Sequence, residues 1–509
     1  MTLAACGGGS DSGGTAPLPG QLNEPSCELQ YSLPTYTVST GADPLFPKQW
    51  HLLNTGQSGG TPGADLNVGD VWPTDRGEGV RVAVIDDAIE VIHEDLMPNV
   101  VAGGSYNFRP ASLGNDYPLP CSSIQTHGTP VAGIIAARDG NALGVSGVAP
   151  RTGLVGLNAL ATNLDADIAM ALGYDRSVNA IFHNSWGSPD NSSLNPSDAS
   201  FNAAIDGGLA SGRDGKGSIF VFPAGNGGAL GDNSNFDGYV NRRGIITVCA
   251  VDHTGVQPWY GESGANVLLC GYSSNTSVAS EITTTAIGNG YRQDFTGTSA
   301  STPMVSGVVA LMLSANPALT WRDVELILAS TAHKTDATEA GWTTNFGLNH
   351  NPKYGFGSVD AKAAVDAAKT WVSVGGSTDQ VQCDSETRTP SLAIGDASAV
   401  ADGAPAEDSL TIAGCGIGRI EFIEIQFTAT HTYSGDLRVE LISPNGLVSV
   451  LANSRVCSSD CGDYVAWPFG SVRHMNEPAN GQWRLRVTDQ QRLDTGTFDR
   501  WKLRIWGRG

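Results

Sequence analysis

The sequence of 509 residues has little charge, and positive charge is especially scarce. Charged residues make up 16% of the chain, against roughly 25% in ordinary globular proteins. The 29 Lys and Arg face 51 Asp and Glu, so the formal net charge is −22. A chain this acidic repels phosphate backbones, which argues against nucleic-acid binding and favours cationic ligands.

Long apolar runs are also missing. No stretch of about 18 apolar residues occurs, so we expect no transmembrane helix. The 64 glycines favour a turn-rich fold over long helices or coiled coils. Hydrophobic residues still supply 40% of the chain, enough for a sizeable core. The length suits two or three domains of roughly 100–200 residues each.

Residues 1–42 lack the pattern of a folded domain. The segment Leu3-Ala4-Ala5-Cys6 resembles the site at which bacterial lipoprotein leaders are cut, although no charged and apolar leader regions precede it. This resemblance predicts a lipid on Cys6, a flexible Gly/Ser/Pro tether and an extracytoplasmic location, either secreted or in a bacterial cell envelope. The alternative is a disordered terminus with an incidental cysteine.

None of the nine cysteines forms a CxxC pair of the zinc-binding kind. Apart from Cys6 they are even in number, which suggests disulfides in an exported chain. Eight cysteines allow about a hundred pairings, so the sequence leaves the connectivity open. Proximity along the chain favours Cys249–Cys270, Cys383–Cys415 and Cys457–Cys461, which leaves Cys27–Cys121.

Residues 43–372 alternate short apolar strands with apolar or amphipathic helices. Val80–Ile85 is a predicted buried strand, while Val131–Ala137 and Val305–Ser314 are predicted helices. This alternation predicts an α/β domain with a mostly parallel sheet and helices on both faces.

Residues 373–509 have a different pattern. Apolar and polar residues alternate along 423–427, 437–441, 483–487 and 501–505, and a Pro-Asn-Gly turn lies between two of these runs. A period of two residues indicates half-buried antiparallel strands, so this part is predicted to be a separate β-sandwich.

Three separate segments of the α/β part carry possible catalytic residues. Asp86 ends the first buried strand, His127 opens a helix, and Ser299 stands just before the apolar helix. An imidazole can take the proton of a serine hydroxyl and return it to a leaving amine. A buried carboxylate can fix the imidazole tautomer. Each residue alone is weak evidence, but together they predict a nucleophilic hydrolase.

Asn226 follows another strand, within Ala224-Gly225-Asn226-Gly227-Gly228. Its side-chain amide could donate to the oxyanion of a tetrahedral intermediate, together with the amide of Ser299. The alternative is that Asn226 only fills a left-handed turn position.

In this order and with these flanking residues, the chain resembles the subtilisin-like serine proteases of the kexin/furin branch. The matching segments are Asp43–Trp50, Asn184–Gly187, Ala224–Gly228, Leu319–Asp323, Tyr433–Leu437 and Ile442–Gly446. The resemblance implies a subtilisin-like catalytic domain over 43–372, followed by a jelly-roll-like P domain over 373–509.

The resemblance also implies a specificity for basic residues. Asp190 and Asp237 match acids around the pocket for the residue before the cut, and Asp87 matches the acid for the next residue upstream. The segment Ser185, Trp186 and Gly187 is expected to pair with the substrate backbone as an added strand. The alternative for the aspartates is solvated loop charge or calcium ligation alone.

At two positions the chain differs from these convertases in a way that weakens recognition of basic residues further upstream in the substrate. The residues Ser122–Thr126 before His127 lack an acid that these convertases carry, and Ile168 is assigned to another position where an acid would help. A second basic residue is therefore a plausible preference, and extended multibasic recognition is not expected.

Calcium is the cofactor that the resemblance implies, at two sites. The first would use side chains of Asp43, Asp95 and Asn141 with carbonyls of Arg138, Leu143 and Val145. The second would use Asp190, Asp232 and Glu262. Oxygen ligands of this kind suit Ca²⁺, whereas the alternative is ordinary loop acids on an acidic protein.

These patterns predict an exported, calcium-dependent serine endopeptidase that cuts after Lys or Arg. Only about 40 residues precede the matching region, so we expect an external folding chaperone or prior trimming. Two other functions stay open, a broad-specificity exported subtilisin and a catalytically inactive, surface-anchored binding protein.

Overall fold

A computed structural model describes residues 27–33, 39–109, 116–275, 280–398, 401–457 and 461–509. The predicted lipid site at Cys6 lies outside the described residues.

A parallel sheet forms the centre of the first domain. Its six described strands have the order β2-β1-β3-β4-β5-β6. They are nearly continuous apolar runs, as expected where helices cover both faces of a sheet. The strands are β1 (Arg81–Ile85), β2 (Gly153–Leu157), β3 (Ile181–Asn184), β4 (Ile219–Pro223), β5 (Ile245–Val251) and β6 (Val267–Tyr272).

Six α-helices accompany this sheet in the described part of the chain. They are α1 (Gly128–Ala136), α2 (Asp165–Leu172), α3 (Ala199–Ser211), α4 (Thr298–Ala315), α5 (Trp321–Thr331) and α6 (Ala361–Thr370). Two antiparallel hairpins are added, β7 (Ile282–Ala286) with β8 (Gly290–Phe295), and β9 (Thr343–Asn345) with β10 (Leu348–His350).

Helix α4 runs through the core. Its apolar and small side chains are buried almost throughout, which is typical of a helix without a polar face. Among the described helices it is the one whose length and composition would permit a membrane crossing, and most of it is buried inside the protein. The helix contains the predicted segment Val305–Ser314 and begins earlier, at Thr298.

The C-terminal part is a sandwich of two antiparallel sheets, so the predicted fold class is confirmed for both parts. One sheet has the order β11-β19-β14-β17 with β12 beside β19, and the other has the order β13-β18-β15-β16. Inward-facing apolar residues of both sheets form one core. The strands are β11 (Val381–Asp384), β12 (Leu392–Ile394), β13 (Ala406–Ile412), β14 (Arg419–His431), β15 (Leu437–Ile442), β16 (Val448–Ala452), β17 (Tyr464–Ser471), β18 (Gly481–Asp489) and β19 (Gly496–Arg508).

A buried ion pair joins the two parts. Arg322 on α5 contacts both carboxylate oxygens of Glu421 on β14, at 2.8 and 2.7 Å. The same guanidinium donates to the carbonyl oxygens of Val374, Gly375 and Gly376 in the connecting segment. One side chain therefore holds the sandwich and the connection against the catalytic domain.

The three disulfides favoured by proximity, and the fourth that they leave, are confirmed. Cys27–Cys121, Cys249–Cys270, Cys383–Cys415 and Cys457–Cys461 are all bonded. Cys249 and Cys270 are directly paired residues of the neighbouring strands β5 and β6.

Candidate active site

The predicted catalytic residues meet at the carboxyl edge of the parallel sheet. Asp86 directly follows β1, and Asn226 follows β4. His127 precedes the first residue of α1, and Ser299 is the second residue of α4. Because the carboxyl ends of parallel strands share one edge, residues far apart in the sequence reach one cleft there. All four line a cleft of about 560 Å³.

Asp86 and His127 form a hydrogen-bonded pair. Nδ1 of His127 lies 2.9 and 3.0 Å from the two carboxylate oxygens of Asp86. Burial alone would lower the pKa of His127, but the charge and hydrogen bond of Asp86, with the charge of Asp87, raise it to about 8. The carboxylate of Asp86 thus favours an imidazole with its proton on Nδ1.

Ser299 lies at the start of α4 within the same cleft. In this structure its hydroxyl donates to the carbonyl oxygen of Ser185, at 3.1 Å. Ser185, Trp186 and Gly187 also line the cleft. A hydroxyl in a substrate-free cleft often takes such a partner and turns to the catalytic base only when the substrate binds.

Asn226 is fixed by the start of α4. Its Oδ1 accepts from the backbone N–H and the hydroxyl of Thr298, at 2.8 and 3.0 Å. Both contacts require an acceptor, so the side-chain orientation is set and Nδ2 is the group left to donate. Its backbone N–H donates to Asp190 at 3.0 Å.

Asp87 lines the cleft and also accepts hydrogen bonds from the start of helix α1. Its two carboxylate oxygens accept from the backbone N–H groups of His127 and Gly128, at 3.2 and 2.9 Å. Burial and the charge of Asp86 raise the pKa of Asp87 to about 6. The acid assigned to the substrate therefore also holds the helix end that carries His127.

Four carboxyl groups gather at one end of the cleft, namely Asp190, Asp232, Asp237 and Glu262. Burial raises the pKa of Asp237, and burial with the charges of Asp232 and Asp190 raises that of Glu262. The pKa of Asp232 is raised to about 6 by burial and by Asp190. Like charges held together in this way favour a cation between them.

Two glycines leave room for this acidic group. A Cβ on Gly225, whose φ is +112°, would lie 2.1 Å from Oε1 of Glu262. A Cβ on Gly187 would lie 2.8 Å from Oδ2 of Asp237. Side chains at either position would therefore collide with the acids of the pocket.

The sandwich reaches the back of the acidic group through Arg455. The guanidinium carbon lies 3.9 Å from the ring centroid of Phe236, and Nε donates to the carbonyl oxygen of Ser192 at 2.6 Å. Its positive charge lowers the pKa of Asp232, against the larger effect of burial. The sandwich thus places a cation near Asp232, behind the acidic group.

The residues assigned to the first calcium site also lie together. Asp43 accepts from the backbone N–H groups of Gly140 and Asn141, at 3.0 and 3.1 Å. Asp95 is fully buried and accepts from Nδ2 of Asn141 at 2.7 Å and the N–H of Val145 at 3.0 Å. Burial, together with Asp43 and Glu94, raises the pKa of Asp95 to about 7. These oxygen donors fit Ca²⁺ in chemical type.

The described residues contain no group of three or more His, Cys, Asp or Glu side chains arranged to hold a metal ion. Any cation at either group would therefore depend on amide and backbone oxygens as well as carboxylates.

One residue predicted to lie beside the substrate does not line the cleft. Ile168 is only 1% exposed and packs in the core on α2, so its assignment beside the substrate was wrong. Ile124 and Leu160 line the cleft instead. Leu160 lies in a short helical turn shortly after the end of β2, near the edge of the sheet where β1 ends, and that position is the signal that could have identified it.

The chain matches two protein-family models. Residues 77–357 match the subtilase family, and residues 420–505 match the proprotein convertase P-domain. The class defined by this fold and cleft is the subtilisin-like domain followed by a P domain. The chain belongs to the subtilase family, and its C-terminal part matches the P domain of proprotein convertases.

Three known proteins illustrate the similarity. Human proprotein convertase subtilisin/kexin type 7 is 34% identical over 91% of this chain and 60% of its own length. A dibasic-processing endoprotease of Schizosaccharomyces pombe is 35% identical over 92% of this chain and 65% of its own. The Aeromonas sobria serine protease, solved in complex with a chaperone, has a TM-score of 0.81 and 25% identity, over 97% of this chain and 99% of its own. The chain spans about three fifths of the length of the convertase it matches.

Proposed function

We propose that the protein is an extracytoplasmic serine endopeptidase that hydrolyses peptide bonds after Lys or Arg. The observation that carries this proposal is the Asp86–His127 hydrogen bond in the cleft that also holds Ser299 and Asn226. Four disulfides among the described residues support an oxidising compartment. Lipidation of Cys6 stays a prediction from the sequence.

Acyl transfer follows from the roles of these groups. The hydroxyl oxygen of Ser299 attacks the substrate carbonyl carbon while Nε2 of His127 takes the hydroxyl proton. Asp86 keeps the other ring proton on Nδ1. The side-chain N–H of Asn226 and the backbone N–H of Ser299 donate to the oxyanion. His127 then protonates the leaving amine as the C–N bond breaks. Water attacks the acyl carbon while His127 takes its proton, and this proton passes to the Ser299 oxygen as the acyl bond breaks.

The acidic end of the cleft supports a preference for a basic residue before the cut. Asp237 accepts from the backbone N–H groups of Ser188 and Tyr239, which lower its pKa against the larger effect of burial. A Lys or Arg side chain of the substrate neutralises the carboxylate of Asp237, whereas an apolar side chain leaves this carboxylate unpaired. The dibasic-processing relative supports a second basic residue opposite Asp87.

The apolar side chains of Ile124 and Leu160 limit recognition further upstream in the substrate. Ile124 is 58% exposed and lies with Leu160 on the cleft. Neither side chain offers charge or a hydrogen bond to a third or fourth basic residue. Recognition is therefore confined to one or two basic positions.

Calcium and a chaperone complete the proposal. Asp43, Asp95 and Asn141, with the carbonyls of Arg138, Leu143 and Val145, would hold one ion. Asp190, Asp232 and Glu262 would contribute carboxylates to a second, together with backbone or amide oxygens. When bound, calcium supplies positive charge that offsets the repulsion between buried carboxylates. The chaperone complex of the Aeromonas relative supports an external folding partner.

Peptide cleavage tests the proposal. We expect Ser299→Ala to abolish turnover and Asp237→Asn to lower kcat/KM roughly 100-fold for Arg substrates, since a desolvated charge loses its partner. For Leu substrates the same change should cost less than about threefold. Asp214→Asn, at an exposed turn, is the matched control and should change neither.

Each other function gives a distinct result. Equal losses for Arg and Leu substrates would indicate a broad-specificity subtilisin. Folded wild-type protein that neither cleaves peptides nor reacts with a fluorophosphonate would indicate a binding protein without catalysis.

A further inference from the structure

His183 lies behind the nucleophile, on strand β3, and has no part in the mechanism above. Its side chain is fully buried. Nδ1 lies 2.8 Å from the hydroxyl of Ser306 on α4, and Nε2 lies 2.9 Å from the hydroxyl of Ser185. An imidazole is costly to bury unless both nitrogens have partners, and here both do.

The direction of these hydrogen bonds can be derived. The hydroxyl of Ser185 donates to the carbonyl oxygen of Ser299 at 3.2 Å, because a carbonyl oxygen only accepts. Its single hydrogen is thereby used, so Nε2 of His183 must donate to Ser185. Burial, with the charge of His127, lowers the pKa of His183 to about 3. The neutral ring has one N–H, so Nδ1 accepts from Ser306.

The result is a closed connection between the substrate-binding segment and α4. It runs from Ser306 through His183 and Ser185 to the backbone of Ser299. A second bond returns from the Ser299 hydroxyl to the carbonyl of Ser185, at 3.1 Å. Ser306 lies about two helical turns beyond Ser299, so His183 fixes α4 at two points.

We propose that His183 is a positioning residue for the nucleophile. Through Ser185 it fixes the first turn of α4, and with it the position of the Ser299 hydroxyl relative to His127. This inference rests on the proposed function, in which Ser299 attacks the substrate. Small displacements of a reacting group lower the rate of chemistry more than they weaken substrate binding.

The experiment compares His183→Leu with His183→Gln, in the full-length protein. Competent enzyme is titrated with a fluorophosphonate, and kcat is expressed per titrated Ser299. We expect His183→Leu to lower kcat about tenfold and leave KM within about twofold. The amide N–H of Gln reaches about as far as Nε2, so His183→Gln should recover most of the loss. Ser306→Ala should lower kcat about threefold.

His51→Leu is the matched control. His51 is fully buried in the same domain, and its ring nitrogens have no hydrogen-bond partner among the described residues. Its kcat per titrated site should equal that of the wild type. A purely structural role for His183 would lower the titrated fraction or the Tm and leave kcat per site unchanged.

The outcomes separate this inference from the proposed function. A normal kcat per site in His183→Leu, or equal loss in the Gln and Leu variants, would overturn it. If His183→Leu does not fold, an unchanged kcat in Ser306→Ala would do so. Full activity in Ser299→Ala would instead refute the proposed function itself.

Discussion

The charges around His127 determine the pH range in which it can act as a base. Asp86 and Asp87 raise its pKa to about 8, while Arg292 acts in the opposite direction. The neutral ring is the base, so activity is gained as pH rises through that value. The contribution of His127 to folding stability has the opposite dependence on pH. Because its pKa is raised in the folded protein, its protonation stabilises the fold below about pH 6.5, and this stabilisation is lost as the pH rises through about 8.

We therefore expect kcat/KM to rise with pH to a plateau, with an apparent pKa of about 8. Arg292→Gln removes a positive charge and should move this value upward. Arg438→Gln, at a partly exposed ion pair of the sandwich, is the control and should leave the profile unchanged. A wild-type midpoint at or below about 6.5, the ordinary histidine value, would contradict the role of Asp86 and Asp87.

Among the structural elements, the loop after α1 packs around two buried acids. Asp95 and Asp43 are both buried, and their hydrogen bonds come from the loop 140–146. The two buried carboxylates repel each other, so holding this loop in place lowers the stability of the fold.

Calcium should consequently raise the Tm, and EDTA should lower it. At 100 times the dissociation constant a bound ion stabilises by about 2.7 kcal/mol. Asp95→Asn removes one charged ligand and should abolish most of the calcium-dependent shift in a thermal melt. Asp70→Asn changes an exposed acid and should keep the full shift. Equal melting curves in calcium and EDTA would count against the site.

The sequence predicted the type of each element better than its boundaries. Both helices that carry catalytic residues begin earlier than their apolar pattern suggests. Asp87 caps the start of α1, and Asn226 accepts from the first residue of α4. These partners are remote in sequence, so a local pattern could not reveal them. The assignment of Ile168 came from the family resemblance, which does not say which face of α2 meets the core.

At the scale of the whole molecule, one buried ion pair joins the domains. Arg322 and Glu421 are 1% and 4% exposed. Glu421 also accepts from Arg508 and Gln380, at 3.1 and 2.7 Å. Removing its charge would leave Arg322 buried without a counter-ion.

Glu421→Gln should therefore destabilise the protein by about 3–5 kcal/mol, the usual cost of breaking a buried pair. Glu424→Gln, on the same strand with a partly exposed partner, should cost less than about 1 kcal/mol. Thermal and urea unfolding would measure both. Replacing Arg322 and Glu421 together by Met should recover part of the stability, because the fully buried charge of Arg322 is removed with its partner and only the more exposed Arg508 loses a carboxylate. Similar small losses in both single variants would show that the pair contributes little to holding the domains together.

The position of β19 has a consequence for how the chain is synthesised. This strand is the last in the described chain, yet it lies between β14 on one side and β11 and β12 on the other. Its sheet cannot close until residues 496–508 have left the ribosome. Glu421 on β14 reaches its final position only then, although helix α5 with Arg322 leaves the ribosome much earlier. The nascent catalytic part must therefore wait, with Arg322 still unpaired, until the whole sandwich has been synthesised.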